Sequence, residues 1–173
     1  KFVEAGLPPD LLCGKRIFVA PLPPVKSEFG DYFLFVGRLV GYKGVETMLA
    51  AWSDQARGLP LHIIGDGPLA SSVEEAAANR DDITFLGRVS HDRVLEEMRG
   101  ARALIFPSTL YENFPLSVVE ALACGTPVIA SRLGAMQEIV KERESGLLFS
   151  PADPRELGAK TRWAWGHGDA MVA

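Results

Sequence analysis

An α/β fold, with a doubly wound parallel sheet and helices on both of its faces, is the class this sequence predicts. Three observations predict it. Short apolar runs alternate with longer segments whose apolar residues recur at helical spacing. The runs are continuous rather than alternating, as in residues 32–36 (YFLFV), which is the pattern of strands buried on both faces. Several of them end at a glycine followed by a polar residue: Gly37-Arg38, Gly65-Asp66 and Gly87-Arg88. Strands that alternate with helices in this way wind into a parallel sheet by right-handed crossovers, and such sheets take ligands beyond the carboxyl ends of their strands.

Taken in order, residues 1–30 read as a connector and first strand region. Residues 1–5 form the tail of a helix closed by Gly6, and 17–20 a short strand broken by Pro21, Pro23 and Pro24. From Asp31 the pattern is regular to the end, so 31–173 is read as one Rossmann-like domain of about six strands. The first regular strand covers 32–36. A helix follows over 45–56, with Val45, Met48, Leu49 and Trp52 at helical spacing. Residues 61–64 are the next strand, and 69–79, rich in alanine and glutamate, the next helix. A third strand covers 83–86. Ser90 caps a helix that runs to about Gly100. Residues 103–106 are the fourth strand. In the following helix, over 115–123, Pro115 suits the first helical position and Gly125 the position just past the end. A fifth strand at 127–130, a short helix at 136–140 and a sixth strand at 146–149 come next. Pro154 opens the last helix, with Asp153 as its cap.

Composition excludes several functional classes. The 173 residues are 47% hydrophobic and 23% charged, which describes a soluble globular chain with room for a full core. No apolar run nears the ~20 residues of a membrane span. The formal charge of −4, without a basic stripe, argues against a nucleic-acid partner. Two cysteines, Cys13 and Cys124, make no disulfide framework and fit a reducing, cytoplasmic compartment. His62, His91 and His167 lack metal-ligand spacing, so no metal is expected. The first residue is Lys1, and the chain reads as a piece of a longer one.

The loops after the strands carry the candidate chemistry. Arg38 and Lys43 follow the first regular strand: a planar fork and a point charge that suit a diphosphate, or two solvated surface charges. Gly44 would let a phosphate approach the amides of the next helix. The turn Gly65-Asp66-Gly67-Pro68 lacks the Gly-x-Gly-x-x-Gly spacing of a dinucleotide fingerprint and reads as structural. Gly87-Arg88-Val89 offers backbone and a guanidinium to a nucleobase, or is simply a surface arginine before a cap. Glu112 precedes the helix at 115–123. The amides of residues 116–118 are expected to be unpaired donors at its positive end, a ready anion site. Val118, Val119, Leu122 and Ala123 are expected to face the sheet. Glu120 then lies at the edge of that face, placed to accept hydrogen bonds from a sugar diol or to pair with a surface cation. Glu138 is read as favouring a helix dipole.

In combination these motifs are specific. Phe35-Val36-Gly37-Arg38 with Lys43-Gly44, the Gly65 turn, Phe85-Leu86-Gly87-Arg88-Val89, Phe106-Pro107-Ser108, Glu112 and Glu120 with seven residues between them, Gly125-Thr126-Pro127-Val128-Ile129-Ala130-Ser131 and Gly146-Leu147-Leu148-Phe149 stand in one order. Over about residues 15–165 the chain resembles the C-terminal, nucleotide-sugar-binding domain of the retaining GT-B glycosyltransferases of group 1. The resemblance implies one half of a GT-B fold. It implies that Arg38 and Lys43 hold the donor diphosphate and that Glu112 lies against the donor sugar. Glu120 would hold the ribose hydroxyls. The backbone at Asn113, Phe114, Pro115 and Leu116 would face sugar and phosphates, Gly37 would lie beside the phosphates, and Arg88 and Val89 would flank the base. Asn113 stands where many members have glycine, a difference that bears on sugar choice and loop flexibility. The family needs no metal and no cofactor beyond the nucleotide diphosphate sugar itself. Its acceptor is bound by an N-terminal domain, absent here, through which peripheral membrane association is possible; the isolated domain is then expected to bind donor weakly and transfer nothing. A non-catalytic nucleotide-binding or regulatory module of the same fold is the alternative reading. A GT-B epimerase or phosphorylase matches the two glutamates less well.

Overall fold

The computed structural model describes residues 30–112 and 115–167. The expected helical tail at 1–5 and strand at 17–20, together with Cys13, Asn113 and Phe114, lie outside the described residues.

Six strands form one parallel sheet: β1 (Phe33–Val36), β2 (Leu61–Ile64), β3 (Ile83–Gly87), β4 (Ala103–Phe106), β5 (Val128–Ser131) and β6 (Gly146–Phe149). Their spatial order is β3-β2-β1-β4-β5-β6. The winding direction therefore reverses between β1 and β4, which pair as Phe33 with Ala103 and Leu34 with Leu104. The connections leaving those two strands lead to helices on opposite faces of the sheet, which marks a topological switch point at its carboxyl edge. The Rossmann-like, doubly wound class read from the sequence is the observed one.

Six helices alternate with the strands: α1 (Val45–Ser53), α2 (Ala70–Ala78), α3 (His91–Gly100), α4 (Leu116–Ala123), α5 (Met136–Ile139) and α6 (Pro154–Gly166). Successive strand residues point to opposite faces, so each apolar run feeds two cores. Phe33, Phe35, Ile63, Ile105 and Phe149 pack with α1, α2 and α6, through Met48, Trp52, Val73 and Leu157. Leu34, Leu104, Phe106, Val128 and Leu148 pack with α3, α4 and α5, through Met98, Val118, Ala121 and Met136. This two-sided burial is why the central strands β1 and β4 carry no polar side chain, whereas β2 and β3 towards the edge carry His62 and Thr84.

Element ends follow local chemistry. The Ser90 hydroxyl accepts from the Arg93 amide at 3.3 Å, and the Asp153 carboxylate accepts from Arg155 and Glu156 at 2.9 and 3.0 Å, as the cap residues predict. Helix α4 closes in a Schellman motif: the amide of Thr126 donates to Ala121 O at 2.8 Å and that of Gly125 to Leu122 O at 3.0 Å. Helix α1 stops at Ser53 instead of continuing to 56. There the chain folds back, with Ala56 N on Ala51 O at 2.9 Å and the buried Trp52 indole donating to Leu59 O at 2.8 Å.

Two expectations for α4 need correction. Pro115 is the residue before the helix rather than its first, with an extended ψ of 106°. The fully buried stripe is Val118, Ala121 and Cys124; Leu122, half-buried, packs against the same core as expected, whereas Val119 and Ala123 are only half-buried. No helix of the described residues is long and apolar enough to cross a membrane.

Candidate functional site

The loop after β1 and the loop after β4 meet backbone to backbone at the carboxyl edge. After Gly37 and Arg38 the chain makes a single 3-10 turn, Gly41–Lys43, and enters α1 through Gly44. Gly44 has φ 74°, and a Cβ built on it would lie 1.9 Å from Pro107 O. Only glycine allows both that conformation and that contact. Alongside it, the amide of Thr109 donates to Tyr42 O at 2.8 Å, and the hydroxyls of Ser108 and Thr109 lie 3.2 and 3.3 Å from the same oxygen.

This junction brings Lys43 to Glu112. Lys43 Nζ lies 2.6 Å from Glu112 Oε1, both side chains about four-fifths buried at 23% and 20% exposure. Ser108 Oγ lies 2.9 Å from the same Oε1. The ammonium also sits 5.7 Å from the centroid of the Phe106 ring, at a distance where the ring quadrupole favours a cation. Arg38 is exposed; its carbonyl accepts from the Val40 amide at 3.0 Å, and its guanidinium has no hydrogen-bond or ion-pair partner among the described residues. The two cations thus differ: Lys43 is held against a carboxylate, whereas the Arg38 side chain is exposed.

On the α4 side, the amide of Val118 is taken up by Pro115 O at 3.1 Å, so the expected set of free donors at 116–118 shrinks. The amides of Leu116 and Ser117 have no acceptor among the described residues. They stand at the positive end of a helix whose first turn carries no acidic residue. Pro115 is buried and Leu116 exposed. Glu120, 18% exposed, lies beside the buried stripe, and His91 Nε2 is 3.8 Å from its Oε1. His91 is the first residue of α3, directly after Arg88, Val89 and Ser90. Sequence spacing considers His91 only as a metal ligand and argues against it. Its place at the start of the helix after the Arg88 loop is the signal that could have set it on this edge. Arg88 is exposed and Val89 packs partly into the α3–α4 core. Glu138 is exposed on α5 and touches none of these groups.

The Gly65 turn is structural in its contacts. Built Cβ atoms on Gly65 and Gly67 would lie 1.9 Å from Gly37 O and 2.5 Å from Leu39 O, and the turn bonds the β1 loop through Leu39 N to Asp66 O at 2.8 Å. It buttresses the strand end that carries Gly37 and Arg38. Among the described residues, no three of His, Cys, Asp or Glu gather in a way that would hold a metal ion.

Residues 30–166 match the model of the family described as glycosyl transferases group 1. The chain belongs to that family. An uncharacterized glycosyltransferase of Methanocaldococcus jannaschii is 40% identical over 135 residues, which is 76% of this chain and 38% of that protein. The D-rhamnosyltransferase WbpZ of Pseudomonas aeruginosa is 34% identical over 140 residues, 79% of this chain and 36% of the relative. The group 1 chain described here thus spans well under half the length of these curated relatives. Among solved structures, HepE of Anabaena in complex with UDP and glucose superposes with a TM-score of 0.72 at 22% identity, over 82% of this chain and 40% of that one. That likeness shows the shared fold, the Rossmann-like half of a GT-B architecture.

Proposed function

We propose that this group 1 chain is the donor-binding half of a retaining hexosyltransferase, which takes a sugar from a nucleotide diphosphate sugar without a metal and passes it to an acceptor held by a further, N-terminal domain. The observation that carries the reading is the meeting of Lys43 and Glu112 where the winding reverses between β1 and β4, with the exposed cation Arg38 in the same loop. Glycosyltransferase relatives, and a relative in fold that holds UDP and glucose, support this class of ligand.

Each group has a task in this reading. Transfer breaks the bond between the anomeric carbon and the diphosphate, and negative charge grows on the departing phosphate oxygen. Arg38 meets that charge as a fork, Lys43 as a point charge, and the Leu116 and Ser117 amides as fixed dipoles. A preorganised donor of this kind contributes roughly 2.7–4 kcal/mol of barrier lowering. An ammonium carries three N–H donors, so Lys43 can keep one on Glu112 and turn others to phosphate. Glu112 thereby ties the sugar end of the site to its phosphate end. Its carboxylate orients the donor sugar and stabilises positive charge on an oxocarbenium-like carbon, as a positioning group and not as a nucleophile. Glu120 accepts from the ribose hydroxyls, with His91 beside it, and Arg88 and Val89 flank the base.

Titration of the chain with UDP, GDP and ADP and their sugar derivatives tests the reading. Binding of at least one pair is expected; no binding of any at millimolar ligand overturns it.

A further inference from the structure

Resting on the donor-site reading above, the geometry points to Ser108 as the positioning residue that holds Glu112 towards the donor sugar when Lys43 engages the diphosphate. Ser108 follows β4 directly and is 2% exposed. Its hydroxyl has one proton and three acceptors in reach: Glu112 Oε1 at 2.9 Å, Tyr42 O at 3.2 Å and Leu110 O at 3.3 Å. The carboxylate is both the nearest and the only charged one, so it takes the proton. The amide of Leu110 donates to Ser108 Oγ at 3.4 Å, which leaves the hydroxyl proton for the carboxylate.

The two groups that hold Glu112 differ in freedom. Lys43 reaches it on a flexible four-carbon stem and has its own use at the phosphates. Ser108 has a single side-chain torsion, is enclosed by protein, and is locked from the next residue by the Thr109 amide on Tyr42 O at 2.8 Å. Once phosphate draws on the ammonium, the hydroxyl is the anchor that does not move. Ser108 acts through Glu112 and touches no reacting atom.

The test uses the whole chain with UDP and UDP-glucose, GDP and GDP-mannose, and ADP and ADP-glucose, and takes forward the pair that binds. Ser108→Ala is expected to weaken the sugar nucleotide by about tenfold relative to its diphosphate, the size of one charge-assisted hydrogen bond. Ser108→Thr, which keeps the hydroxyl, restores most of it. In a Glu112→Ala background the Ser108→Ala loss disappears, because the residue acted upon is gone. Ser108→Cys, with nearly the same shape and a weak S–H donor, gives the same reading should Ser108→Ala fail to fold. Equal loss on both ligands, an undiminished loss without Glu112, or no loss on the sugar nucleotide overturns the inference and leaves the donor site standing. A wild-type chain that binds none of the six ligands overturns both.

Discussion

Lys43 Nζ stands 2.6 Å from Glu112 Oε1 across 69 positions of sequence. A cation from the β1 loop and an anion from the β4 loop meet at the point where the sheet reverses its winding. That contact makes the two loops one site, and the way each nearby group is held there sets what its replacement should do.

Lys43→Ala and Arg38→Ala should each weaken diphosphate binding roughly ten- to a hundredfold, while nucleoside binding changes little. Calorimetric titration with a nucleoside and its diphosphate measures this. Equal effects on both ligands would contradict the phosphate role. Lys43→Ala should also lower stability, because it strips the cation from a largely buried carboxylate, whereas the change at exposed Arg38 should not.

Glu120→Ala should weaken a nucleoside diphosphate by about tenfold and its 2′,3′-dideoxy analogue hardly at all, since the carboxylate is assigned to the ribose hydroxyls. His91→Ala should give a smaller loss in the same direction, about twofold, because at 3.8 Å and 65% exposure His91 only steadies Glu120. Loss of the dideoxy ligand as well would sink the assignment.

Gly44→Ala should cost about 1–3 kcal/mol of stability and loosen the site at once. The added methyl would meet Pro107 O at 1.9 Å on a residue with φ 74°, so the two loops must part. Urea unfolding gives the first effect and diphosphate affinity the second. Normal values of both in the Gly44→Ala variant would mean that the close contact of the loops holds neither the fold nor the site.

On the buried side of α3, burial alone would raise the Glu97 carboxyl, but the hydrogen bond with His62 Nδ1 at 2.9 Å and the charge of Arg93 outweigh it and hold the group below its ordinary value of 4.5. A depressed native value means that the unfolded chain binds the proton more tightly. The stabilisation is complete above about pH 4.5 and is lost as pH falls through the native value. Glu97→Gln should therefore cost about 1.5–3 kcal/mol at pH 7, and the gap to wild type should be smaller at an acid pH well below 4.5. Denaturation at the two pH values checks both; a gap that persists in acid would assign the loss to packing instead.

Much of this molecule is legible along the chain. Continuous apolar runs announce strands buried on two faces, and the same runs prove to feed both cores. Ser90, Gly125, Asp153 and Pro154 mark helix ends because capping involves neighbours in sequence. Errors gather at element ends, where a few local contacts decide how the chain turns. Helix α1 ends early because Trp52 bonds Leu59 O, and Val118 is not a free donor because Pro115 stays outside α4 and offers its carbonyl. Nothing local to Arg38 and Lys43 says which of the two cations meets a glutamate.

Local signals along the chain suffice for the element order, the two-faced sheet and the placing of the candidate residues in loops that leave strand ends, because periodicity, capping and turn chemistry act between near neighbours. Folding in three dimensions was needed for the strand order β3-β2-β1-β4-β5-β6, the pairing of Lys43 with Glu112, the hold of Ser108 on that carboxylate and the approach of His91 to Glu120. Those depend on which helix packs on which face and on a glycine that lets two backbones touch, and no spacing along one chain encodes a distance between loops whose paired residues are 69 positions apart.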